Sequence, residues 1–172
     1  MSAEEVARRS PSWWRYLTLV AIAAVVVVIS LPRLREFALR ENENDARVLL
    51  GRLASTLEVH AAERPAQVAD LVAAGDGLAQ WMTDAEYLDD GRLLRRHGYL
   101  FDVVRGPGEC LAVRAWPWRA GRTGSRVFVD FVGAAPLVHP NAGARWSGPT
   151  GAPELATLDA DAGWRDAALA NE

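Results

Sequence analysis

The chain has 172 residues, half of them hydrophobic, with a formal net charge of −3 and a single cysteine, Cys110. One cysteine excludes an intrachain disulfide framework, and the slightly acidic balance argues against a polyanionic main partner. All nineteen basic residues are arginine, which reads as base composition more than as mechanism.

Residues 1–15 form a short basic tail with Arg8, Arg9 and Arg15. Residues 16–32, Y-L-T-L-V-A-I-A-A-V-V-V-V-I-S-L-P, carry no charge. As a helix the run rises about 26 Å, near the lower limit for crossing a hydrocarbon core. Trp13 and Trp14 extend it with rings that favour the headgroup layer. The anchor set is therefore Trp13, Trp14, Tyr16, Leu17, Val25, Val28, Ile29, Leu31 and Pro32. A retained transmembrane helix competes with a cleaved secretory signal and with a buried core helix. It is favoured because no small-x-small cleavage site follows the run. Arg8-Arg9 only weakly matches a twin-arginine signal, since Ser-Pro-Ser follows. The flanking arginines barely decide orientation, and a short inside tail with the head outside is the expected topology.

Residues 33–64 read as a stalk and packing helix. Glu36 to Asp45 is polar, and Ala46, Leu49, Leu50, Leu53 and Leu57, then His60 or Ala61, recur at three- and four-residue steps. Pro32 can kink this helix without ending it. Residues 65–140 read as an α+β head of ordinary single-domain size. Arg64-Pro65 breaks the first pattern, and a second helix is predicted over 66–74 with Val68, Leu71 and Val72 inward. A short helical piece follows over 78–82, and Asp89-Asp90-Gly91 is a turn. The period then changes to two. Strands are predicted around Tyr99–Val103, over 110–118 and over 126–132, joined by turns at 106–109 and 121–124. Proline lacks a ladder donor, so the second strand is an edge at Pro117 or ends there. Residues 141–172, like the stretch from Gly133 onward, read as an irregular Gly/Pro/Ala-rich tail with one short helix near 164–170. The fold class is thus α+β: a transmembrane helix continuing into a long amphipathic helix packed on a three- or four-stranded antiparallel meander.

Charge is segregated. Residues 65–90 hold Asp70, Asp76, Asp84, Glu86, Asp89 and Asp90 with no arginine. Residues 91–126 are rich in arginine, opposed only by Asp102 and Glu109. Such blocks face each other within one domain, stay solvated, or meet between subunits, where complementary potentials set register.

The succession of basic tail, apolar helix ending at proline, long amphipathic helix and antiparallel meander resembles the type IV pilin and type II secretion pseudopilin family. Residues 91–104, G-R-L-L-R-R-H-G-Y-L-F-D-V-V, resemble the entry to the first sheet strand of pilin-like domains. Residues 110–132, with W-P-W and T-G-S-R-V-F-V-D, resemble their hairpin. The family has a glycine before its processing site and a glutamate soon after; here Ser10 precedes Pro11, and Arg15 stands where the glutamate would fall. The resemblance implies a structural subunit or accessory of an assembly in the bacterial inner membrane, single-pass, with its head extracytoplasmic. Its partners would be lipid and protein, including like subunits.

Candidate chemistry is sparse. His60, His97 and His139 lack metal-site spacing. Ser125, His139 and Asp130 could be drawn as a triad, but no nucleophile elbow or phosphate loop accompanies them. Asp159, Asp161 and Asp166 lack the final acidic ligand of a calcium loop, so calcium is not expected. Neither a cofactor nor a metal is expected, nor enzymatic activity. Arg114, Trp116, Trp118, Arg119, Arg122 and Arg126 form an arginine–tryptophan set suited to a protein partner more than to nucleic acid. Alternation turns Trp116 and Trp118 to one face, expected to cover the core, and the arginines are expected to line the wet face. An anchored module holding a soluble partner on this surface is the second reading of function, and an anchored enzyme the third.

Overall fold

A computed structural model describes residues 13–106, 110–158 and 163–167. The first helix, α1, spans Trp13–Val59 and passes through Pro32. The chain divides into two compact units, residues 1–37 and 38–172.

In the first unit the described residues are helical, and every large apolar side chain from Trp13 to Phe37 is exposed. The valine run, a weak helix former in water, is helical here, as lipid would require of any spanning backbone. Thr18 Oγ1 donates back to the Trp14 carbonyl (2.8 Å), hiding its hydroxyl within the helix. Among the described residues one helix is long and apolar enough to cross a membrane.

The second unit is built around a sheet whose strands are neighbours in sequence order, all antiparallel. They are β1 (Glu86–Leu88), β2 (Leu93–Arg96), β3 (Tyr99–Arg105), β4 (Leu111–Pro117), β5 (Val127–Phe131), β6 (Leu137–His139) and β7 (Arg165–Asp166). This seven-stranded meander corrects the expected three or four strands. Two further helices, α2 (Val68–Ala74) and α3 (Leu78–Trp81), precede it.

One face of the sheet carries the helices. Ala46, Leu49, Leu50, Leu53 and Leu57 of α1 are buried there with Val68, Leu71 and Val72 of α2. Tyr99, Phe101, Val113, Ala115 and Phe128 meet them from the strands. The apolar stripe and the inward face of α2 are as their spacing predicts.

The other face is covered too. Leu100, Ala112, Trp116, Val127 and Val129 pack against Trp146 and Trp164, with Ala152, Leu155 and Leu158 around them. The segment expected to be an irregular tail therefore contributes two strands and a second core layer. Its backbone is irregular because it is fixed by side chains instead of a ladder. Asn141, in a left-handed conformation (φ 49°), donates to the Trp146 carbonyl (2.9 Å) and accepts from the Trp146 amide (3.1 Å). The Trp116 indole donates to the Gly148 carbonyl (2.8 Å). In place of the helix expected over 164–170 there is β7; residues 168–170 lie outside the described residues, as does most of the turn at 106–109.

β4 is bonded on both sides, to β3 and to β5, so it is not an edge strand and ends at Pro117. The β2–β3 connection is a two-residue turn, His97-Gly98, with both residues at positive φ (42° and 78°). That is the mirror-image turn that a right-twisted hairpin prefers. A side chain at Gly98 would strike Thr123, so close packing also demands glycine there.

Candidate functional site

The arginine–tryptophan set does not form one surface. Trp116 is fully buried, and Trp118 is half-buried beneath the Arg95 guanidinium (4.6 Å). Arg114 is internal, which corrects its expected place on the wet face. It shares a strand face with Trp116, directly across the ladder from Asp102. Its Nε donates to Asp102 Oδ1 (2.9 Å), its Nη2 pairs with Asp102 Oδ2, and its Nη1 donates to the Pro153 carbonyl. Burial pushes the Asp102 carboxyl up, and the Arg114 guanidinium only partly offsets that. This pair staples the tail segment to the sheet.

The three remaining members, Arg119, Arg122 and Arg126, are exposed on the β4–β5 loop. The loop is tightly built. Thr123 accepts from the Arg119 amide at Oγ1 (3.0 Å), and the amides of Arg122 and Thr123 donate to the Arg119 carbonyl (3.0 and 2.9 Å). Helix α1 holds its far side. Asn42 Nδ2 donates to the Thr123 carbonyl (2.9 Å), and Glu43 Oε1 accepts from the amide and hydroxyl of Ser125 (2.8 and 2.6 Å).

A second polar cluster escaped the sequence reading. Asp45 of α1, Asp84 before β1, Arg96 at the end of β2 and His97 in the turn converge. Arg96 Nε lies 2.8 Å from Asp84 and its Nη1 3.1 Å from Asp45. His97 Nδ1 lies 2.7 Å from Asp45, and its Nε2 faces Asp84. The Arg96 hydrogen bond holds the Asp84 carboxyl below its usual range. The cluster ties three elements together electrostatically. Its one signal in the sequence was Gly98, a residue suited to the second position of a mirror-image turn, within the segment likened above to a strand entry.

The charge blocks meet within the head. Arg92 pairs with Asp89 (3.4 Å), Arg95 with Glu86 (3.0 Å) and Arg96 with Asp84. The imagined triad is not assembled: Ser125 bonds Glu43, and Asp130 and His139 lie on opposite sheet faces. His139 sits edge-on to Trp146, with ring centroids 4.7 Å apart. His60 is beside Glu63 (3.2 Å). Among the described residues no group of three or more His, Cys, Asp or Glu side chains is arranged to hold a metal ion. Asp159 and Asp161 lie outside them, and Asp166 is in β7.

Asp130 is a different case. It faces the helix side of the sheet, where burial pushes its carboxyl up to about 6 and the charge of Glu58 adds to the shift.

No family model, curated protein or solved structure matches the chain.

Proposed function

We propose that the chain is a membrane-anchored structural subunit, or an accessory of a membrane assembly, with no chemistry of its own. The observation that carries this reading is helix α1. Its first part exposes every large apolar side chain, whereas its second part supplies the stripe on which the head is built. Exposed apolar side chains on that scale have their place in lipid. A pilin- or pseudopilin-like arrangement in a bacterial inner membrane, head outward, belongs to the same proposal. Its support is the order of elements, a long N-terminal helix followed by an antiparallel meander.

The test replaces Tyr16–Pro32 by a polar linker of equal length. The full-length protein should stay in the membrane pellet through alkaline carbonate, and its cross-linked assemblies should disappear in the variant. Release of the parent chain by carbonate, or assemblies that persist without the run, would sink the reading. The mass of the mature N-terminus separates its two forms. A chain starting at Met1 or Ser2 is a plain anchor, and one starting at Pro11 has undergone pilin-type processing.

A further inference from the structure

The guanidinium groups of Arg40, Arg119 and Arg122 are exposed and have no ion-pair or hydrogen-bond partner among the described residues, as is also true of Arg105 and Arg165 in the same unit. Beside the first three, Arg126 stands 3.6 Å from Glu43, whose other oxygen already accepts from Ser125. Exposed arginines are common, and one alone carries little. Here their placement is specific.

The loop that bears Arg119, Arg122 and Arg126 is internally bonded, so its guanidiniums project from a fixed frame. Asn42 and Glu43 clamp that frame to the beginning of the head's helix. Arg40 lies on the same stretch, and a cleft of ≈ 340 Å³ is lined by Arg40, Glu43, Asn44, Arg47, Arg126 and Phe128. Arg47 reaches across to the Ala167 carbonyl and is engaged there. Glu41 is exposed on this turn and offsets one positive charge. Glu43 is occupied by the loop. What is left unpaired is positive.

Chain connectivity then limits where these groups can be. The backbone between Pro32 and Ala38 can extend no further than about 20 Å. Whatever the arrangement of the two units, the clamped loop belongs to the end of the head where the chain enters from the apolar run. If that run is in a bilayer, the nearest extended anionic surface is its own lipid.

We infer that Arg40, Arg119, Arg122 and Arg126 bind the phosphate groups of anionic phospholipids in the leaflet beside the head. The inference rests on the membrane-anchor reading above. Arginine suits the task because its planar fork donates two parallel hydrogen bonds to a phosphodiester. Each basic group near an anionic surface is worth about a fivefold change in occupancy, and the effect fades beyond a Debye length. A soluble protein with an acidic patch would fit the same charges, but nothing in the chain brings such a partner near, whereas the anchor brings lipid.

The experiment uses the full chain in nanodiscs of phosphatidylcholine alone or with one-third phosphatidylglycerol, and follows amide hydrogen exchange over residues 119–126. Exchange should slow at least fivefold in the anionic discs. The difference should vanish in about 0.5 M salt, where the Debye length is only a few ångströms. It should also vanish in the R119E/R122E variant. Both side chains are exposed, so the variant should keep its melting temperature, and R119Q/R122Q, which adds no charge, should lose most of the effect. Equal exchange in both kinds of disc, with the chain still resistant to carbonate, would overturn this proposal and leave the anchor reading standing. Protection in phosphatidylcholine discs by millimolar inorganic phosphate, as strong as that by anionic lipid, would overturn it in favour of a soluble anion. A chain that leaves the disc in carbonate would overturn the anchor reading and this proposal together.

Discussion

The two faces of the sheet are covered by different means. On the helix side, regular elements bury aliphatic stripes, and packing is the main agent. On the tail side, an irregular segment is held by indoles, by Asn141 and by the Asp102–Arg114 pair. The first solution tolerates any residue of the right size and spacing. The second depends on named polar groups finding their partners, because buried backbone without a ladder must be satisfied individually.

The comparison can be broken from either side. The largest effect is expected at Arg114→Met, which strands the Asp102 carboxylate under the tail segment. Stability measured by denaturant unfolding at pH 7 should fall by about 3–5 kcal/mol. The loss should shrink as pH falls, because a protonated Asp102 carries no buried charge. Replacing both partners by apolar residues, Asp102→Leu with Arg114→Met, should recover most of it. An Arg114→Met variant as stable as the parent would show that the pair holds nothing down.

On the helix side, Leu53 is fully buried in the stripe. Leu53→Ala should cost about 2–5 kcal/mol through lost transfer energy and a residual cavity. Unlike Arg114→Met, its cost should not vary with pH between 5 and 8. A pH-dependent Leu53→Ala would erase the distinction drawn between the faces.

The smallest effect has the opposite sign. The Asp130 carboxyl is raised to about 6 in the folded chain, so its contribution is fully present below the ordinary carboxylate range and is lost as pH rises through 6. Asp130→Asn should therefore stabilise the head by about 1 kcal/mol at pH 7–8, a figure reduced for the group's contact with solvent, and the gain should vanish near pH 4. A variant that destabilises at pH 8 would contradict the cost of burying the Asp130 charge, to which the charge of Glu58 adds.

Legibility in the sequence follows the same division. The stripe from Ala46 to Leu57 and the strands around Tyr99, Trp116 and Phe128 were readable because each repeats with the period of its element. β1 and β2 were not, since Glu-Tyr-Leu and Leu-Leu-Arg-Arg have no alternation and their salt bridges emerge only in register. Arg114 was misplaced because its charge outweighed its parity: it stands two residues from Trp116, so alternation sets it on the same covered face. What neutralises it, Asp102, is visible only once the two strands are aligned. The tail was read as irregular, which its backbone largely is. Its burial arises from isolated tryptophans, and isolated residues have no period. The same holds for the Asp45–Asp84–Arg96–His97 cluster, assembled from separate elements. The arginine–tryptophan set looked like one patch because strand and loop residues are adjacent in the text, while the strand turns inward and the loop outward.

The bond from the Arg47 guanidinium to the Ala167 carbonyl spans 120 positions of the chain. Synthesis proceeds from the other end, so α1 is complete long before its partner exists. Until residues near 164–167 leave the ribosome, β6 has no outer neighbour and Trp146 has no Trp164 beside it. The head therefore closes only once residues 164–167 have emerged, long after the apolar run has been made. For a chain ordered in this way, exposure of the apolar run and completion of the sheet are separate events in time, with residues 164–167 acting as the latch.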